Sequence, residues 1–412
     1  MPHPKRSSAR TTRRSFQKSI ALSGAGFFLG LPGRRLARTE DSAGGTGRRY
    51  RACIIGHTGR GDYGHGIDLC FKGIPSVQVT AVADPVVEAC AKTAQRVGAE
   101  HTYADWRAML EKEKPDLVAI GPRWVEQRVE MISAAAAGGA HVYMEKPLAA
   151  SVADADAIVD ALRRAKKLLS LAFHARLAPT VLHLKKLVED GLLGDLLAVE
   201  TRGKEDRRSG GEDLAVLGTH CLYLLRFFAG QPLWCTARVL VDGRDATRSD
   251  AREATEPLGL VAGDTIHATY AFAGGVQGTF SSQKLKVGPG GRFECRLLGS
   301  KGQAVIHIGM DPEVHYLLDP SWSPGKSHAS WQPLPGVPPA RDASGLEGQD
   351  ACNRRLVLDL LQAAETGKEP VASAEEGRAV LEMIHAVYWA HLSGARAALP
   401  LADRRHPLAP PA

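Results

Sequence analysis

The 412-residue sequence has few cysteines, and none of them is spaced to bind a metal ion. Its seven cysteines, at positions 53, 70, 90, 221, 235, 295 and 352, form no C-x-x-C pair and no Cys/His group with zinc-site spacing. A chain of this length builds its own hydrophobic core without covalent crosslinks. We therefore predict neither a disulfide framework nor a metal site, and interpret the cysteines as small buried apolar residues.

The N-terminal apolar run, from Ile20 to Leu31, is too short to span a bilayer as a helix, which needs about 20 residues. It follows Thr12-Arg13-Arg14-Ser15-Phe16-Gln17-Lys18, and this order resembles a twin-arginine export signal. We expect residues 1–48 to be a signal and linker that the twin-arginine export machinery recognises. The mature protein would then be periplasmic or otherwise extracytoplasmic in a bacterium. The alternative is a disordered basic tail.

Acidic side chains are scarce in the same segment, since residues 1–50 contain eleven lysines and arginines but only Glu40 and Asp41. The rest of the chain is close to neutral, although the formal net charge of the whole is +7. Because the basic excess belongs to the leader, it does not indicate a nucleic-acid partner or stable membrane insertion of the mature protein.

The mature chain begins with a strand and a glycine-rich turn. The 44% hydrophobic and 24% charged residues of the full sequence are typical of globular proteins, and the apolar run Arg51–Ile55 predicts a buried parallel strand. The next nine residues, from Gly56 to Gly64, contain four glycines and precede a helical pattern over Ile67–Phe71. Such a turn lets backbone N–H groups approach a pyrophosphate at a helix N-terminus.

The glycines allow two registers of a dinucleotide-binding motif. The literal one is Gly59-x-Gly61-x-x-Gly64, but Gly56-x-Thr58-x-x-Gly61 starts where the strand ends, and we favour it. The candidate cofactor-binding residues of the turn are Gly56, Thr58, Gly59, Arg60 and Gly61.

A second strand, Val77–Ala83, ends at Asp84. A carboxylate there can accept hydrogen bonds from a ribose hydroxyl and would repel a 2′-phosphate, which favours NAD over NADP. The alternative is that Asp84-Pro85 is an ordinary helix N-cap pair. Further strands at 101–103, 116–120 and 141–144 alternate with helical segments, and this alternation predicts a doubly wound parallel Rossmann sheet.

Glu145-Lys146-Pro147 directly follows the fifth strand, at the sheet edge where ligands gather in open α/β folds. With this tripeptide the chain resembles the Gfo/Idh/MocA oxidoreductase family. The Gly56–Gly61 turn, Asp84 and the tripeptide fall in the family's order, and Gly299-Ser300-Lys301-Gly302 and Ser373–Arg378 match later features. The resemblance covers nearly everything from about residue 50 to 401.

The resemblance implies NAD(P)-dependent hydride transfer from a hydroxyl of a sugar, polyol or glycoside. Lys146 would lie near both the nicotinamide ribose and the reacting hydroxyl, and a cation there stabilises developing alkoxide charge and relays the proton. Glu145, Lys146 and Pro147 would then be cofactor-binding, and Lys146 also catalytic. The family likeness further suggests a homo-oligomer that associates through an open sheet face. The alternative for Lys146 is a surface lysine in a turn.

We predict an NAD(P)-binding domain at 49–172 and a substrate-binding α/β domain at 173–412. The second is an α+β domain with a large open, mostly antiparallel sheet, and the C-terminal helices 349–366 and 373–396 pack on this domain. Its strands are predicted at 196–201, 236–241, 264–272, 276–283, 293–299 and 304–308. Arg176 lies where the family has an arginine beside the active site, and it binds substrate or instead pins the two domains. The charged run Arg202–Gly211 is a rim of the cleft or a solvated loop.

His220 fits the position of the family's active-site histidine, and we expect it to act as the general base. The family usually has an aspartate four residues earlier, but this chain has Val216 there. Asp213 or Glu212 would replace that carboxylate, and Asp213 would share a helical face with His220. We therefore predict Arg176, Asp213 and His220 as substrate-binding. The alternative for His220 is a buried histidine in helix packing.

Export would constrain how the cofactor is used. Free nicotinamide nucleotides should be scarce outside the cytoplasm, so we expect tightly bound NAD that returns to its starting state in each cycle. One alternative function is a redox-neutral glycosidase or lyase that uses this NAD. A second is a non-catalytic nucleotide- or sugar-binding protein, because Val216 removes the usual carboxylate.

Overall fold

Two β-sheets organise the chain. The computed structural model describes residues 48–284, 291–336 and 345–410, so the leader predicted over residues 1–48 lies outside the described residues except for Arg48. The N-terminal sheet has six parallel strands in the spatial order β3-β2-β1-β4-β5-β6. These strands are β1 (Tyr50–Ile55), β2 (Val77–Ala83), β3 (His101–Tyr103), β4 (Leu117–Ile120), β5 (His141–Met144) and β6 (Leu169–Leu171). This strand order confirms the predicted doubly wound Rossmann sheet.

Four helices connect the strands of this sheet: α1 (Val87–Val97), α2 (Trp106–Glu113), α3 (Arg128–Ala137) and α4 (Val152–Ala165). Two of them begin at a side-chain cap. The Asp105 carboxylate accepts a hydrogen bond from the Arg107 N–H at 3.0 Å, and the Ser151 hydroxyl accepts one from the Asp154 N–H at 3.1 Å. These caps satisfy backbone donors that the helices leave unpaired at their first turns.

The helix predicted after the glycine-rich turn does not form. The connection from β1 to β2 contains only a three-residue 3₁₀ turn, Ile67–Leu69. Gly64 and Gly66 have φ values of 60° and 66°, so the chain cannot follow a right-handed helix before residue 67. Pro75 follows soon after, which leaves too few residues for a stable helix. The prediction of a helix N-terminus at this turn is therefore wrong.

The second sheet has ten strands and is mostly antiparallel, as predicted. Its order is β17-β16-β15-β14-β7-β13-β12-β8-β18, with β9 paired to β8, and β7 with β13 is its parallel pair. The strands are β7 (Leu196–Arg202), β8 (Pro232–Val241), β9 (Arg244–Asp245), β12 (Thr265–Phe272), β13 (Gln277–Gln283), β14 (Glu294–Gly299), β15 (Gly302–His307), β16 (Glu313–Leu317), β17 (Gln332–Pro333) and β18 (Ala397–Ala398). A separate hairpin pairs β10 (Arg252–Glu253) with β11 (Leu260–Val261).

The two faces of this sheet differ. In β12 the residues Ile266, Ala268, Tyr270 and Phe272 are buried, whereas the side chains between them are at least partly exposed. This alternation is expected of a sheet with one covered and one open face.

The described part of the C-terminal half has six helices: α5 (Pro179–Glu189), α6 (Gly211–Val216), α7 (Gly218–Ala229), α8 (Pro324–Ser327), α9 (Gly348–Thr366) and α10 (Ala374–Ser393). Helix α10 packs on β8 of the second sheet and on α4, a connecting helix of the parallel sheet. Helix α9 lies against the 3₁₀ turn His174–Leu177, within the predicted C-terminal domain, and also against β5 and β6 of the first sheet. Asn353 of α9 accepts a hydrogen bond from the Tyr143 hydroxyl of β5 at 2.7 Å. The domain boundaries at 49–172 and 173–412 stay predictions. Within the described ranges, no helix is both long and apolar enough to cross a membrane.

Candidate active site

A cavity of about 300 Å³ lies at the carboxyl edge of the parallel sheet, between it and helix α7. It is lined by residues from both halves of the chain. They are His65, Glu145, Lys146, Ala172, His174, Ala175, Lys204, Arg208, Val216, Leu217, His220, Glu256, Phe293, Ile308, Gly309 and Met310. The structure thus brings Lys146 and His220, the two predicted catalytic residues, to one cavity.

Lys146 is buried and lines this cavity, and it follows β5 in the chain. Its Nζ donates a hydrogen bond to the Val216 carbonyl oxygen at 2.7 Å, and a cis peptide bond joins it to the buried Pro147. Burial lowers the pKa of Lys146, and the negative charge of Glu145 only partly opposes this shift. A lysine with a lowered pKa exchanges its proton more readily than an exposed one. At the position expected to carry a carboxylate, Val216 therefore supplies a backbone acceptor.

Glu145 is fully buried beside Lys146 and pairs with His65 of the glycine-rich turn. One carboxylate oxygen contacts His65 Nδ1 and accepts the His65 N–H at 3.0 Å, while the other accepts the Lys146 N–H at 2.8 Å. Burial alone would raise the pKa of Glu145, but the hydrogen bond and charge of His65, with the charge of Lys146, bring it to about 2. Glu145 therefore stays ionised, and its carboxylate links His65, just after the glycine-rich turn, to the backbone of Lys146.

His220 lies in the first turn of α7 and is partly exposed to the cavity. Its ring meets Phe173 and Phe293 edge-on, with centroids 6.1 and 6.5 Å away. Burial lowers the pKa of His220 well below its usual range, and the charges of Lys146 and His174 add to this effect. The ring is therefore neutral near pH 7 and able to accept a proton.

His174 also lines the cavity, and sequence reasoning missed it. It follows β6, and its Nε2 lies 2.7 Å from Oδ1 of the buried Asn353. Burial lowers the pKa of His174 too. The placement of His174 at the carboxyl end of a parallel strand is a signal that would have pointed to it. Asn353 lies within a helix about 180 residues later, and no motif marks it.

Three charged residues form the polar side of the cavity. Arg208 is held by both carboxylate oxygens of Asp206 and by Glu256, whose oxygen lies 3.1 Å from Nη1. Lys204 Nζ lies 3.5 Å from the same Asp206. Lys204 and Arg208 belong to the charged run 202–211, so this run does border the cleft. Glu256 lies between β10 and β11, and sequence reasoning did not find it.

Asp213 and Glu212 do not replace the missing carboxylate, and neither lines the cavity. Asp213 is buried and accepts hydrogen bonds from the backbone N–H groups of residues 204 and 205 and from the Ser282 hydroxyl, at 3.2, 3.0 and 2.7 Å. Glu212 accepts from Thr255 and pairs with Arg252. The helix breaks at Leu217 between α6 and α7, so Asp213 and His220 do not share one helical face. The substrate role of Asp213 stays a prediction, and the contacts of this carboxylate are those of a residue that holds a loop.

Arg176 also lies outside the lining of the cavity. Its guanidinium stacks over the rings of Tyr223 and Phe227, 4.9 and 4.5 Å from their centroids, and lies 3.5 Å from Glu376. Of the two roles predicted for Arg176, the structure favours pinning, here of the segment after β6 onto α7 and α10.

The glycine-rich turn and Asp84 lie together at the same edge of the sheet. Gly56 follows β1 directly, and the Asp84 carboxylate accepts hydrogen bonds from the Thr58 N–H at 3.0 Å and the Thr58 hydroxyl at 2.8 Å. Asp84 also accepts the Val86 N–H at 2.9 Å. A carboxylate has about four acceptor sites, so capacity for a ribose hydroxyl remains. Beside it, a cavity of about 170 Å³ is lined by Gly56, His57, Asp84, Trp106 and Met131, among others.

The glycines of the turn let it pack closely against the segment that follows β4. A Cβ added at Gly61 would lie only 2.6 Å from the backbone nitrogen of Arg123. Buried donors without a partner among the described residues cluster here: Tyr63 Oη, Arg123 Nε, Trp124 Nε1, and Arg128 Nε and Nη1. Arg60 stacks over Trp124 with 4.2 Å to the ring centroid. Unpaired donors and cations beside a glycine turn suit a pyrophosphate.

One feature of the turn differs from the expected phosphate cradle. The Gly59 N–H donates to the Asp62 carboxylate at 2.8 Å, and the Thr58 N–H already donates to Asp84. Two of the amides expected to face a phosphate therefore face carboxylates of this chain. The structure still brings the predicted cofactor-binding residues to the carboxyl edge of the parallel sheet, the edge where Lys146 also lies. They are Gly56, Thr58, Gly59, Arg60, Gly61 and Asp84.

A six-stranded parallel Rossmann sheet joined to a second, mostly antiparallel sheet is the architecture of a nucleotide-binding α/β protein. Residues 50–173 match the profile of the Gfo/Idh/MocA oxidoreductase family with its NAD-binding Rossmann fold, and residues 181–305 match the Gfo/Idh/MocA C-terminal domain. The chain belongs to the Gfo/Idh/MocA family.

Curated relatives of the chain include sugar dehydrogenases. Levoglucosan dehydrogenase of Pseudarthrobacter phenanthrenivorans is 25% identical over 266 residues, which cover 58% of this chain and 67% of that protein. D-glucoside 3-dehydrogenase of Escherichia coli is 26% identical over 45% of this chain and 56% of that protein. A glycosyl hydrolase family 109 protein of Shewanella pealeana is 26% identical over 46% and 45%. The chain thus matches about half the length of the last two.

Solved structures share the fold. Levoglucosan dehydrogenase in complex with NADH has a TM-score of 0.70 at 20% identity, covering 86% of this chain and 100% of that one. The aldose-aldose oxidoreductase from Caulobacter crescentus complexed with glycerol has a TM-score of 0.65 at 21% identity, covering 85% and 100%. At these identities the likeness shows the fold alone.

Proposed function

We propose that the protein is an NAD-dependent oxidoreductase that oxidises a hydroxyl of a sugar, polyol or glycoside. The observation that carries the proposal is the buried Lys146 ammonium, which shares one cavity with two imidazoles of lowered pKa at the sheet edge where nicotinamide is expected. The sugar and polyol dehydrogenases among the relatives support this substrate class.

Each of these residues has a distinct part in the proposed hydride transfer. Bound nicotinamide would take up the hydride from the carbinol carbon. Lys146 Nζ holds the substrate oxygen by a hydrogen bond and stabilises the negative charge that develops on it. A neutral imidazole accepts the hydroxyl proton. Glu145 stays ionised behind the lysine and fixes the backbone on which Lys146 is mounted.

Substitution of Lys146 tests this function. Purified protein with NAD should show rising absorbance of reduced nicotinamide when a reactive sugar or polyol is added. Lys146→Met should lower kcat by at least about a hundredfold, because it removes both the charge and the proton relay. Lys186→Met, at an exposed ion pair with Asp190, is the matched control and should keep full activity. Equal rates for the two variants would refute the role of Lys146.

A redox-neutral glycosidase or lyase with bound NAD is the second candidate. It is supported by the similarity to the glycosyl hydrolase family 109 protein. It predicts cleavage of a glycoside without net formation of reduced nicotinamide, and loss of cleavage when the nucleotide is stripped. A non-catalytic binding protein would instead bind nucleotide or sugar and turn over neither.

We further propose that the cofactor is NAD rather than NADP and that it is bound tightly. Asp84, beside the Thr58 amide, supports NAD because its charge would repel a 2′-phosphate. Denaturing natively purified protein and identifying the released nucleotide tests both points. Recovery of no nucleotide, together with no binding of added NAD, would refute every function that uses a nicotinamide cofactor.

We also propose export through the twin-arginine machinery and association through the open face of the second sheet. The basic, apolar order of residues 12–31 supports the first, and the partly exposed face of β12 supports the second. The double variant Arg13→Lys, Arg14→Lys should retain a tagged protein in the cytoplasm of a bacterial host.

The proposed association is tested separately. Light scattering of the purified mature chain gives its oligomeric state, and a monomeric mass would refute association.

A further inference from the structure

The two histidines His174 and His220 border the same cavity but are held differently. The His220 ring makes edge contacts with Phe173 and Phe293, and neither of its nitrogens has a hydrogen-bond partner among the described residues. Nothing in that part of the chain fixes which nitrogen of His220 carries the proton. His174 instead has a partner whose orientation can be determined.

The amide of Asn353 can have only one orientation. Its Nδ2 lies 2.9 Å from the His65 carbonyl oxygen and 3.1 Å from the Gly66 carbonyl oxygen. Carbonyl oxygens only accept hydrogen bonds, so the NH₂ group must face them. Oδ1 must then face the other side, where the Tyr143 hydroxyl and His174 Nε2 each lie at 2.7 Å.

This orientation determines the tautomer of His174. Because Asn353 Oδ1 can only accept, His174 Nε2 must carry a hydrogen and donate it. In the neutral ring the other nitrogen, Nδ1, is then an acceptor. Nδ1 has no partner among the described residues and is not one of their buried unpaired nitrogens, so it borders the open space of the cavity.

The charges around His174 suit a ring that gains a proton during turnover. Glu145 favours the protonated ring, whereas His65 and Lys146 disfavour it, and burial lowers the pKa of His174 overall. His174 is thus neutral before reaction and has a fixed anion, Glu145, nearby when it becomes charged. A base oriented by a third group is the usual arrangement of proton-transfer catalysis.

We propose that His174 Nδ1 is the proton acceptor for the substrate hydroxyl and that Asn353 is its positioning residue. The proposal rests on the proposed oxidoreductase function. In the step, the substrate O–H bond breaks and its proton moves to Nδ1, while the carbinol C–H bond breaks and its hydride leaves to oxidised NAD. The ring becomes an imidazolium whose Nε2–H stays on Asn353, and the substrate becomes a carbonyl compound. His220 then contacts substrate without being the base.

The tautomer is tested without any activity. Long-range ¹H–¹⁵N correlation spectra of the whole mature chain, labelled with ¹⁵N at the histidine rings, separate protonated from unprotonated ring nitrogens. The His174→Asn and His220→Asn variants assign the signals. At pH 7.5 we expect His174 with a protonated Nε2 and an unprotonated Nδ1. A His174 ring with a protonated Nδ1 would overturn the proposal whatever the activity.

The catalytic role is tested by comparing three single variants with the sugar that the wild-type chain oxidises. His174→Asn should lower kcat by about a hundredfold or more while leaving the Kd of NAD within twofold. His220→Asn should have the smaller effect on kcat, and His183→Asn, on the surface of α5, should have none. If His220→Asn alone abolishes turnover, the proposal is wrong although the proposed function stands. If the wild-type chain oxidises no sugar, the proposed function fails and the proton-accepting step fails with it.

Discussion

Asp62 puts a negative charge into the turn that is expected to hold a phosphate. Its carboxylate accepts the Gly59 N–H at 2.8 Å, and its φ of 50° lies in the left-handed region, which asparagine also tolerates. Asp62→Asn keeps the acceptor and removes the charge. We expect NAD to bind more tightly by up to about 1 kcal/mol, or about fivefold in Kd.

Titration calorimetry at low ionic strength measures this change. Asp190→Asn, at an exposed position on the surface, is the control for loss of one negative charge. An unchanged or weaker affinity in Asp62→Asn would mean that the carboxylate does not compete with the cofactor.

Arg176 illustrates a residue whose position in the sequence suggests a substrate role and whose contacts indicate a packing role. Its guanidinium covers Tyr223 and Phe227 of α7 and lies beside Glu376 of α10. We expect Arg176→Met to lower the free energy of unfolding by about 1–2 kcal/mol through loss of these cation–π contacts. The KM for sugar should stay within twofold. Urea unfolding and steady-state kinetics check both, and a tenfold rise in KM at unchanged stability would restore the substrate role.

At the scale of elements, Asp213 joins the start of α6 to the loop that carries Lys204. Three donors converge on this buried carboxylate, and burial raises the pKa of Asp213 in spite of them. Asp213→Asn would turn an NH₂ group toward at least one N–H donor. We expect a loss of about 2–4 kcal/mol in the free energy of unfolding, measured by urea unfolding. A role as partner of His220 would instead change kcat strongly at nearly unchanged stability.

The strands were predictable, but the junctions between elements were not. Continuous apolar runs such as Leu117–Ile120 mark buried parallel strands in any context. The helical pattern over Ile67–Phe71 was misleading, since positive φ values at the preceding glycines prevent a helix from starting. Likewise, the spacing from Asp213 to His220 assumes one continuous helix, whereas the chain bends at Leu217. Local periodicity does not reveal such breaks.

At the scale of the whole molecule, the residues that sequence reasoning missed are those that depend on long-range packing. Lys146 and Asp84 follow strands of a recognisable sheet, so their positions followed from the strand order. Asn353 reaches the site only because α9 packs on β5 and β6, about 200 residues earlier in the chain. No pattern near Asn353 records that contact, so only the folded structure assigns it to His174.

The whole molecule should also lose stability in mild acid, because several histidines are buried in their neutral form. Burial lowers the pKa of both His141 and His406 to about 4, and it lowers the pKa of His174, His220 and His385 as well. In the unfolded chain a histidine has a pKa of about 6.5. Between these values the unfolded state binds protons that the native state does not, so stability is full above about pH 6.5 and falls as pH drops toward 4.

Glu145, with a pKa of about 2, keeps its contribution throughout this window and loses it only at lower pH. The raised pKa of Asp213 acts in the opposite direction to the histidines, because its native carboxyl group binds a proton more readily than the unfolded one. We therefore expect the urea midpoint to fall steadily from pH 7.5 to pH 5.0. The double variant His141→Gln, His406→Gln should show a shallower fall, because each neutral histidine contributes at most about 1.4 kcal/mol per pH unit. These two rings lie in different parts of the fold, at the start of β5 and in the C-terminal segment. A single unfolding transition with a flatter pH dependence of the urea midpoint in the double variant would therefore indicate that both halves unfold together. A wild-type urea midpoint that does not change with pH would refute the neutral state of these histidines in the folded protein.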